Sequence, residues 1–259
     1  MSPSVQLNIF STMLGLCVGS FLNVVIYRLP LKKSMLEPRS HCKSCDKVVY
    51  WFENIPVISY LFLKGKCSGC GVKLSIQYPL VELTVALFAL MVTPSNLNIS
   101  SIHEYAFNLS IFSTFVAIVL IDLRYKIIPN VLNLYLAIIF LISSVLYRPP
   151  VFWLSGGLFG LLVPLSITYL FYLIKGKVGL GGGDIKLFAA LGIYLGPMGI
   201  FLNLSLSCFL GAIIMLLLIA FKITKRDEMI PFGPFIVAVA SFQIFMPEYF
   251  TLVSRFLIM

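Results

Sequence analysis

The apolar positions of this chain are gathered into long runs broken by short polar stretches. The runs cover about Leu7–Leu29, Tyr78–Val92, Glu104–Leu123, Asn130–Tyr147, Phe152–Ile174, Asp184–Leu195, Ile200–Ile223 and Pro231–Phe245. Most approach the roughly 20 residues that a helix needs to cross a hydrocarbon core about 30 Å thick. The pattern predicts an all-α polytopic membrane protein with about eight transmembrane helices. The run beginning at Asp184 is the exception. Its roughly 12 residues, at 1.5 Å each, reach only about 18 Å before Gly196-Pro197-Met198-Gly199, which reads as a break between a partial span and the next helix. A polar stretch over 31–77 is the one sizeable extramembrane region. It divides the chain into a first transmembrane helix (1–30), a loop (31–77) and a multi-helix membrane domain (78–259). A short apolar tail follows the last run.

Composition agrees: 59% of the 259 residues are hydrophobic and mean hydropathy is +1.00, more than a soluble domain can bury. The formal charge of +9 could point to nucleic acid, but its distribution does not. Of the 19 Lys and Arg residues, all but Arg148 and Arg255 fall on one side of the predicted spans. That asymmetry is the positive-inside signal, so the expected partner is membrane lipid and no nucleic acid. It makes the 31–77 loop cytoplasmic. No Lys or Arg precedes Arg28, so the basic region of a secretion signal is missing. The first helix is read as retained with its N-terminus outside, and parity puts both termini there. Within that helix Asn23 reads as an interhelical hydrogen-bonding residue and Arg28 as a snorkelling anchor. The Thr93–His103 segment carries no Lys or Arg and reads as an outer loop. His103 is given no function in it.

Four of the six cysteines form two CxxC pairs in the polar loop: Cys42 and Cys45, then Cys67 and Cys70. Four thiolates complete a tetrahedral zinc site with no open position, which makes such an ion structural, one per chain. Reduced cytoplasmic thiols favour this over a disulfide, with unligated thiols or an oxidisable pair as the other readings. Cys17 and Cys208 lie in apolar runs and read as small core residues. Trp51 and its neighbours are apolar enough to pack onto the bilayer face. Glu53 reads as a solvated acid or a site residue.

The chemistry concentrates on acids. Asp184 follows three glycines in GLGGGDIKL, at the start of an apolar run. A charge beside hydrocarbon is costly unless it is paired or wet, and glycines permit positive φ and close backbone approach. An acid presented by a flexible turn into a wet pocket is the expectation. An interfacial loop is the plainer reading, and a phosphate loop lacks its Gly-Lys-Ser/Thr. Glu82, Asp122 and Asp184 all lie at cytoplasmic ends of apolar runs, so they could meet in one layer. Two carboxylates that share a site cannot both ionise cheaply. One can then accept a proton from water while the other donates to a carbonyl oxygen, as in aspartic proteases. Neither a Ser-His-Asp set nor an HExxH motif is apparent.

Six segments together carry a family likeness: GSFLNVVIYRLP (19–30), PRSHCKSC (38–45), NIPVISYLFLKGKCSGC (54–70), YPLVE (78–82), DLRYKIIPN (122–130) and GGGDIKL (181–187). In their order and spacing the chain resembles type IV prepilin peptidases, of the GxGD group of membrane aspartyl proteases. The resemblance implies that Asp122 and Asp184 are the catalytic pair. It implies residence in the bacterial inner membrane with the active site facing the cytoplasm. It also implies cleavage of type IV prepilin or pseudopilin precursors after a leader glycine, commonly followed by N-methylation with S-adenosylmethionine. The tetracysteine loop suggests the bifunctional kind, with a peptidase lacking methyl transfer as the alternative. For the methyl donor, Glu53 and Trp51 are candidates. Asn133 departs from the Thr or Ser expected in many relatives. A transporter or a zinc-loop scaffold is the reading from other classes, but no internal symmetry supports a transporter.

Overall fold

A computed structural model describes residues 3–37, 39–42, 44–177, 179–223 and 230–258. The charged turn Lys225–Glu228, and Pro38 and Lys43 of the cysteine segment, lie outside them. The described residues are helical apart from loops and two isolated β-bridges. They form two compact units, Met1–Ala117 and Ile118–Met259, with one long helix running through the division.

The first unit holds α1 (Pro3–Arg28), a short α2 (Ile58–Phe62), α3 (Gln77–Met91) and most of α4 (Ile99–Tyr125). Helices α1 and α3 are antiparallel and meet along residues spaced four apart. The Ser11 hydroxyl donates to the Ala89 carbonyl at 2.8 Å. A Cβ on Gly15 would lie 2.6 Å from the Ala86 Cα, and one on Gly19 would lie 2.6 Å from the Glu82 Cα. One turn further, the Asn23 amide donates to the Tyr78 carbonyl at 3.1 Å, the interhelical bond its polarity predicted. Where lipid removes the hydrophobic drive between helices, small residues that let backbones approach supply dispersion contact instead. Arg28 departs from its predicted anchor role. It is 8% exposed and its guanidinium donates to the Ser34 and Met35 carbonyls, tying the start of the loop to the end of α1.

The second unit is built around α7 (Gly182–Ala220), packed with α5 (Asn130–Tyr147), α6 (Pro150–Lys175) and α8 (Gly233–Phe245), with α9 (Pro247–Ile258) after them. The apolar tail is therefore a helix. His103 is likewise helical, within α4, its ring stacked 6.4 Å from Phe107. The break expected at Gly196–Gly199 is present as a kink at Gly196, where two helical segments of α7 meet. Within the 39-residue stretch Gly196 is non-helical, at φ 72°, ψ 178°. Pro197 has no N–H for the Ile193 carbonyl one turn before it, and Ser144 of α5 supplies a hydroxyl there at 3.0 Å. Arg148 donates to the neighbouring Tyr194 carbonyl and lies over the Phe152 and Tyr194 rings. With the Ile193 carbonyl satisfied from another helix, the two segments of α7 meet at a kink.

Among the described residues, five helices are long and apolar enough to cross a membrane: 4–28, Ile99–Tyr125, Asn130–Tyr147, Pro150–Lys175 and Gly182–Ala220, with Gln77–Met91 and Gly233–Phe245 as shorter apolar ones. Their outward faces carry exposed leucines such as Leu134, Leu146, Leu170 and Leu216. Cys17 and Cys208 are exposed as well, facing outward rather than filling the core. Lipid removes the reason to bury a small apolar side chain.

The α6–α7 seam is the tightest in the second unit, because Gly156 and Gly192 each face the other's carbonyl where a Cβ would be. Gly192→Ala should force the helices apart at a cost of about 1–3 kcal/mol and lower the thermal midpoint in detergent. Gly157→Ala, facing only the movable Ile193 side chain at 3.1 Å, should stay near wild type. Equal midpoints would contradict this packing.

Candidate functional site

Asp122 and Asp184 both belong to the second unit, and the same short segment serves both. Helix α4 ends just beyond Asp122, whose carbonyl accepts the Lys126 amide at 2.8 Å. Lys126 takes a positive φ of 54°, and Ile127-Ile128-Pro129 carries the chain to α5. Pro129 lies just ahead of α5, as its N-cap residue. Ile128, 8% exposed, is wedged between two glycines. A Cβ on Gly183 would lie 3.0 Å from the Ile128 Cβ, and one on Gly233 would lie 3.1 Å from its Cδ1. Gly183 precedes Asp184. Gly233 donates its amide to the Asp122 Oδ2 at 2.8 Å. One isoleucine therefore joins the surroundings of both acids.

Asp122 is 4% exposed and receives its hydrogen bond from the first turn of α8. The positive end of that helix dipole favours a negative carboxylate there. A Cβ on Gly233 would come within 2.8 Å of the Asp122 Oδ2, so the approach needs glycine. Pro231-Phe232-Gly233-Pro234 was not among the sequence candidates. A glycine between prolines at the head of an apolar run was the available signal.

Asp184 does not project from an irregular turn. The helix begins at Gly182, so Asp184 stands in the first turn of α7 and its carboxylate accepts the Gly181 amide. Gly181 has an ordinary φ of −67°, and Gly181–Gly183 do not use the positive φ their composition suggested. Two of them are needed for closeness instead. A Cβ on Gly181 would lie 2.8 Å from the Asp184 Oδ2, whereas one on Gly182 would meet open space. The Asp184 Oδ1 is buried without a hydrogen-bond partner among the described residues. Asn133, 4% exposed, donates to the Gly183 carbonyl at 2.9 Å, and its own Oδ1 is likewise buried without a donor. Lys186 is directed to the Asn130 side chain at 2.8 Å. The third acid of the expected layer, Glu82, belongs to the first unit, where it accepts the Val57 amide at 2.7 Å.

The loop brings its four predicted cysteines together through two matching knuckles. Cys42 and Cys67 each donate their amide to the residue five positions on, Lys47 and Val72, at 2.9 Å. Asp46 and Gly71, which follow the second cysteine of each pair, both take positive φ, 53° and 70°. The Cys42–Cys70 and Cys45–Cys67 sulfurs are 3.8 and 4.0 Å apart, and all four lie within 4.8 Å of one another. A tetrahedron with metal–sulfur bonds of about 2.3 Å has edges of roughly 3.8 Å, so the set can hold one metal ion. Glu53 is neither a solvated acid nor an available one. It pairs with Lys47 at 2.8 Å, and bonds from Lys47, the Ser68 hydroxyl and the Tyr50 amide hold its carboxyl down at about 2. A folded value below the ordinary 4.5 gives stability that is present above about 4.5 and is lost as pH falls through about 2.

An all-helical multi-pass chain with one acid near the end of α4, another in the first turn of α7 and a four-cysteine loop that can hold a metal defines a polytopic membrane protein. The family follows from comparison with known proteins. Residues 13–95 match the Bacterial Peptidase A24 N-terminal domain, and residues 109–216 match the Type IV leader peptidase family. The chain belongs to the type IV leader peptidase family. Relatives named "Prepilin leader peptidase/N-methyltransferase" share this sequence over most of their length. The Aeromonas salmonicida protein is 35% identical, with 86% of this chain and 84% of that protein covered. The Pseudomonas putida protein is 34% identical, with coverage of 87% and 86%. The Pseudomonas aeruginosa protein is 34% identical, with coverage of 86% and 85%. No solved structure matches the chain.

Elemental analysis of chain purified without chelator should find about one metal ion per chain, as four thiolates fill one tetrahedral centre. Cys42→Ser and Cys67→Ser should each lower that occupancy, whereas Cys17→Ser should not. Wild-type chain free of metal would rule the centre out.

Proposed function

We propose that the chain is a prepilin peptidase of the aspartic type, which cuts the leader from type IV prepilins or pseudopilins with Asp122 and Asp184. The observation that carries this is the Ile128 wedge, which packs against the glycine before Asp184 and the glycine bonded to Asp122. In the proposed mechanism one carboxylate is ionised and takes a proton from water as that water attacks the scissile carbonyl. The other is protonated and donates to the carbonyl oxygen, so no covalent intermediate forms. The Gly233 amide and the α8 dipole favour Asp122 as the ionised partner. The unpartnered Oδ1 of Asp184 is suited to a proton that passes to substrate. Asn133 is a positioning residue that holds the turn before Asp184.

The charge asymmetry supports an active site on the cytoplasmic face of the bacterial inner membrane. It also supports eight crossings if the bent α7 counts as two and the two shorter helices cross. We further propose zinc as the metal of the cysteine loop, structural because its ligand set is closed, and 1–30, 31–77 and 78–259 as functional divisions. Methyl transfer to the new N-terminus is the second activity, supported by the names of the relatives. S-adenosylmethionine would supply a methyl group activated on sulfonium. Glu53 does not fit that cation, because Lys47 already neutralises it.

Asp122→Asn and Asp184→Asn should each abolish shortening of a prepilin on a gel while the chain still inserts. Full cleavage by either variant would refute the assignment. Gly233→Ala should cost about 100-fold in cleavage, the penalty for moving a catalytic group by about an angstrom. Wild-type cleavage by that variant would remove Gly233 from the site.

A further inference from the structure

We infer that Glu82 and Asn23 of the first unit form a second site, which binds an organic cation. Resting on the methyl-transfer reading above, the occupant is S-adenosylmethionine, which carries an ammonium and a sulfonium.

Glu82 is 7% exposed in the α1–α3 seam. Its carboxylate accepts the Val57 amide at 2.7 Å with the Ser20 hydroxyl beside it, yet it has no ion pair among the described residues. A buried carboxylate in apolar surroundings normally has a cationic partner. Asn23, 6% exposed, spends its amide N–H groups on the Gly19 and Tyr78 carbonyls at 3.3 and 3.1 Å. Those bonds fix which end of the amide is oxygen, and that Oδ1 is buried without a donor. Gly19 packs on Glu82, and Tyr78 lies one helical turn before it, so both groups occupy one stretch of the seam. Both unmet needs are for positive charge and N–H donors. An anion is repelled here and a neutral apolar molecule satisfies neither group.

The covering segment lies in the loop. Val57 has φ 61° and ψ −49°, and the Ile58 amide donates to the Pro56 carbonyl at 2.6 Å. Together these make a positive-φ γ-turn, a rare form. Glu82 thus stands where a membrane helix meets the loop. No described neighbour supplies the charge it needs; a ligand does.

Equilibrium binding of labelled S-adenosylmethionine to full-length chain in lipid nanodiscs tests this, with cleavage of a prepilin and methyl transfer to a pre-cut pilin read in parallel. Glu82→Gln should weaken binding about tenfold or more, the effect of 1.4 kcal/mol, with cleavage retained. Asn23→Leu should weaken it in the same direction. S-adenosylhomocysteine, which lacks the sulfonium charge, should bind wild type more weakly and lose less affinity in Glu82→Gln. If Glu82→Gln loses cleavage as well, Asn23→Leu decides: lost binding with cleavage intact supports the site, and unchanged binding overturns it. A wild type that methylates, beside a Glu82→Gln variant that binds as tightly, overturns the site alone. A wild type that neither binds nor methylates overturns the methyl-transfer reading and the site with it.

Discussion

A carboxylate that leaves water for an apolar helix bundle has to be given polar company, and around Asp122 that company is one backbone amide. The bond from Gly233 to Asp122 joins residues 111 apart in sequence, and much of the second unit serves to hold it. It needs α8 to begin at Gly233, which depends on how α8 is seated against α7. That seating is fixed by a buried amide pair, Asn203 to Gln243 at 2.8 Å. Ser207 and the Gly199 carbonyl complete the set. Uncharged amides that satisfy one another suit a bundle interior, where a leftover polar atom is costly. Asp184 stands on the first turn of α7, ahead of the Gly196 kink, while Asn203 lies beyond it.

The first unit meets the same constraint with different means. Its helices approach through Ser11, Gly15, Gly19 and Asn23, which leave no room for side chains between them. Glu82 enters that seam and takes a hydrogen bond from the loop, from the amide of Val57. Loop and membrane helix are therefore joined by a hydrogen bond to a buried charge. Such a bond is stronger than a neutral one and costly to leave unmade.

Much of this was legible in the chain because the relevant letters are anomalous where they stand. Long apolar runs announced the helices, and an acid after three glycines announced Asp184. Paired CxxC spacing announced the cysteine cluster. What escaped notice was carried by backbone or by distant partners. The amide of Gly233 writes no letter, and a glycine between prolines reads first as a turn. Pro197 announced the break in α7, but not that the hydroxyl replacing its missing bond sits on Ser144, in another helix. The triple glycine suggested an irregular loop, when its purpose is room for Ile128 and for the Asp184 carboxylate. Glu53 and Glu82 look alike in sequence, and only folding reveals that Lys47 neutralises one and not the other.

The matched knuckles of the cysteine loop bear on how the first unit assembles. Helices α1 and α3 are separated by the whole of 29–76, a flexible tether if left open. Cross-linking Cys42 and Cys45 to Cys67 and Cys70 through one ion would shorten that tether sharply. It would hold the start of α3 near the end of α1 at a raised effective concentration, before any contact in the seam has formed. As the chain is synthesised, Cys70 is completed seven residues ahead of Gln77. The clasp would then be available just before the helix it delivers, and the glycine ladder would close from the Asn23–Tyr78 end, like a zip drawn from its slider.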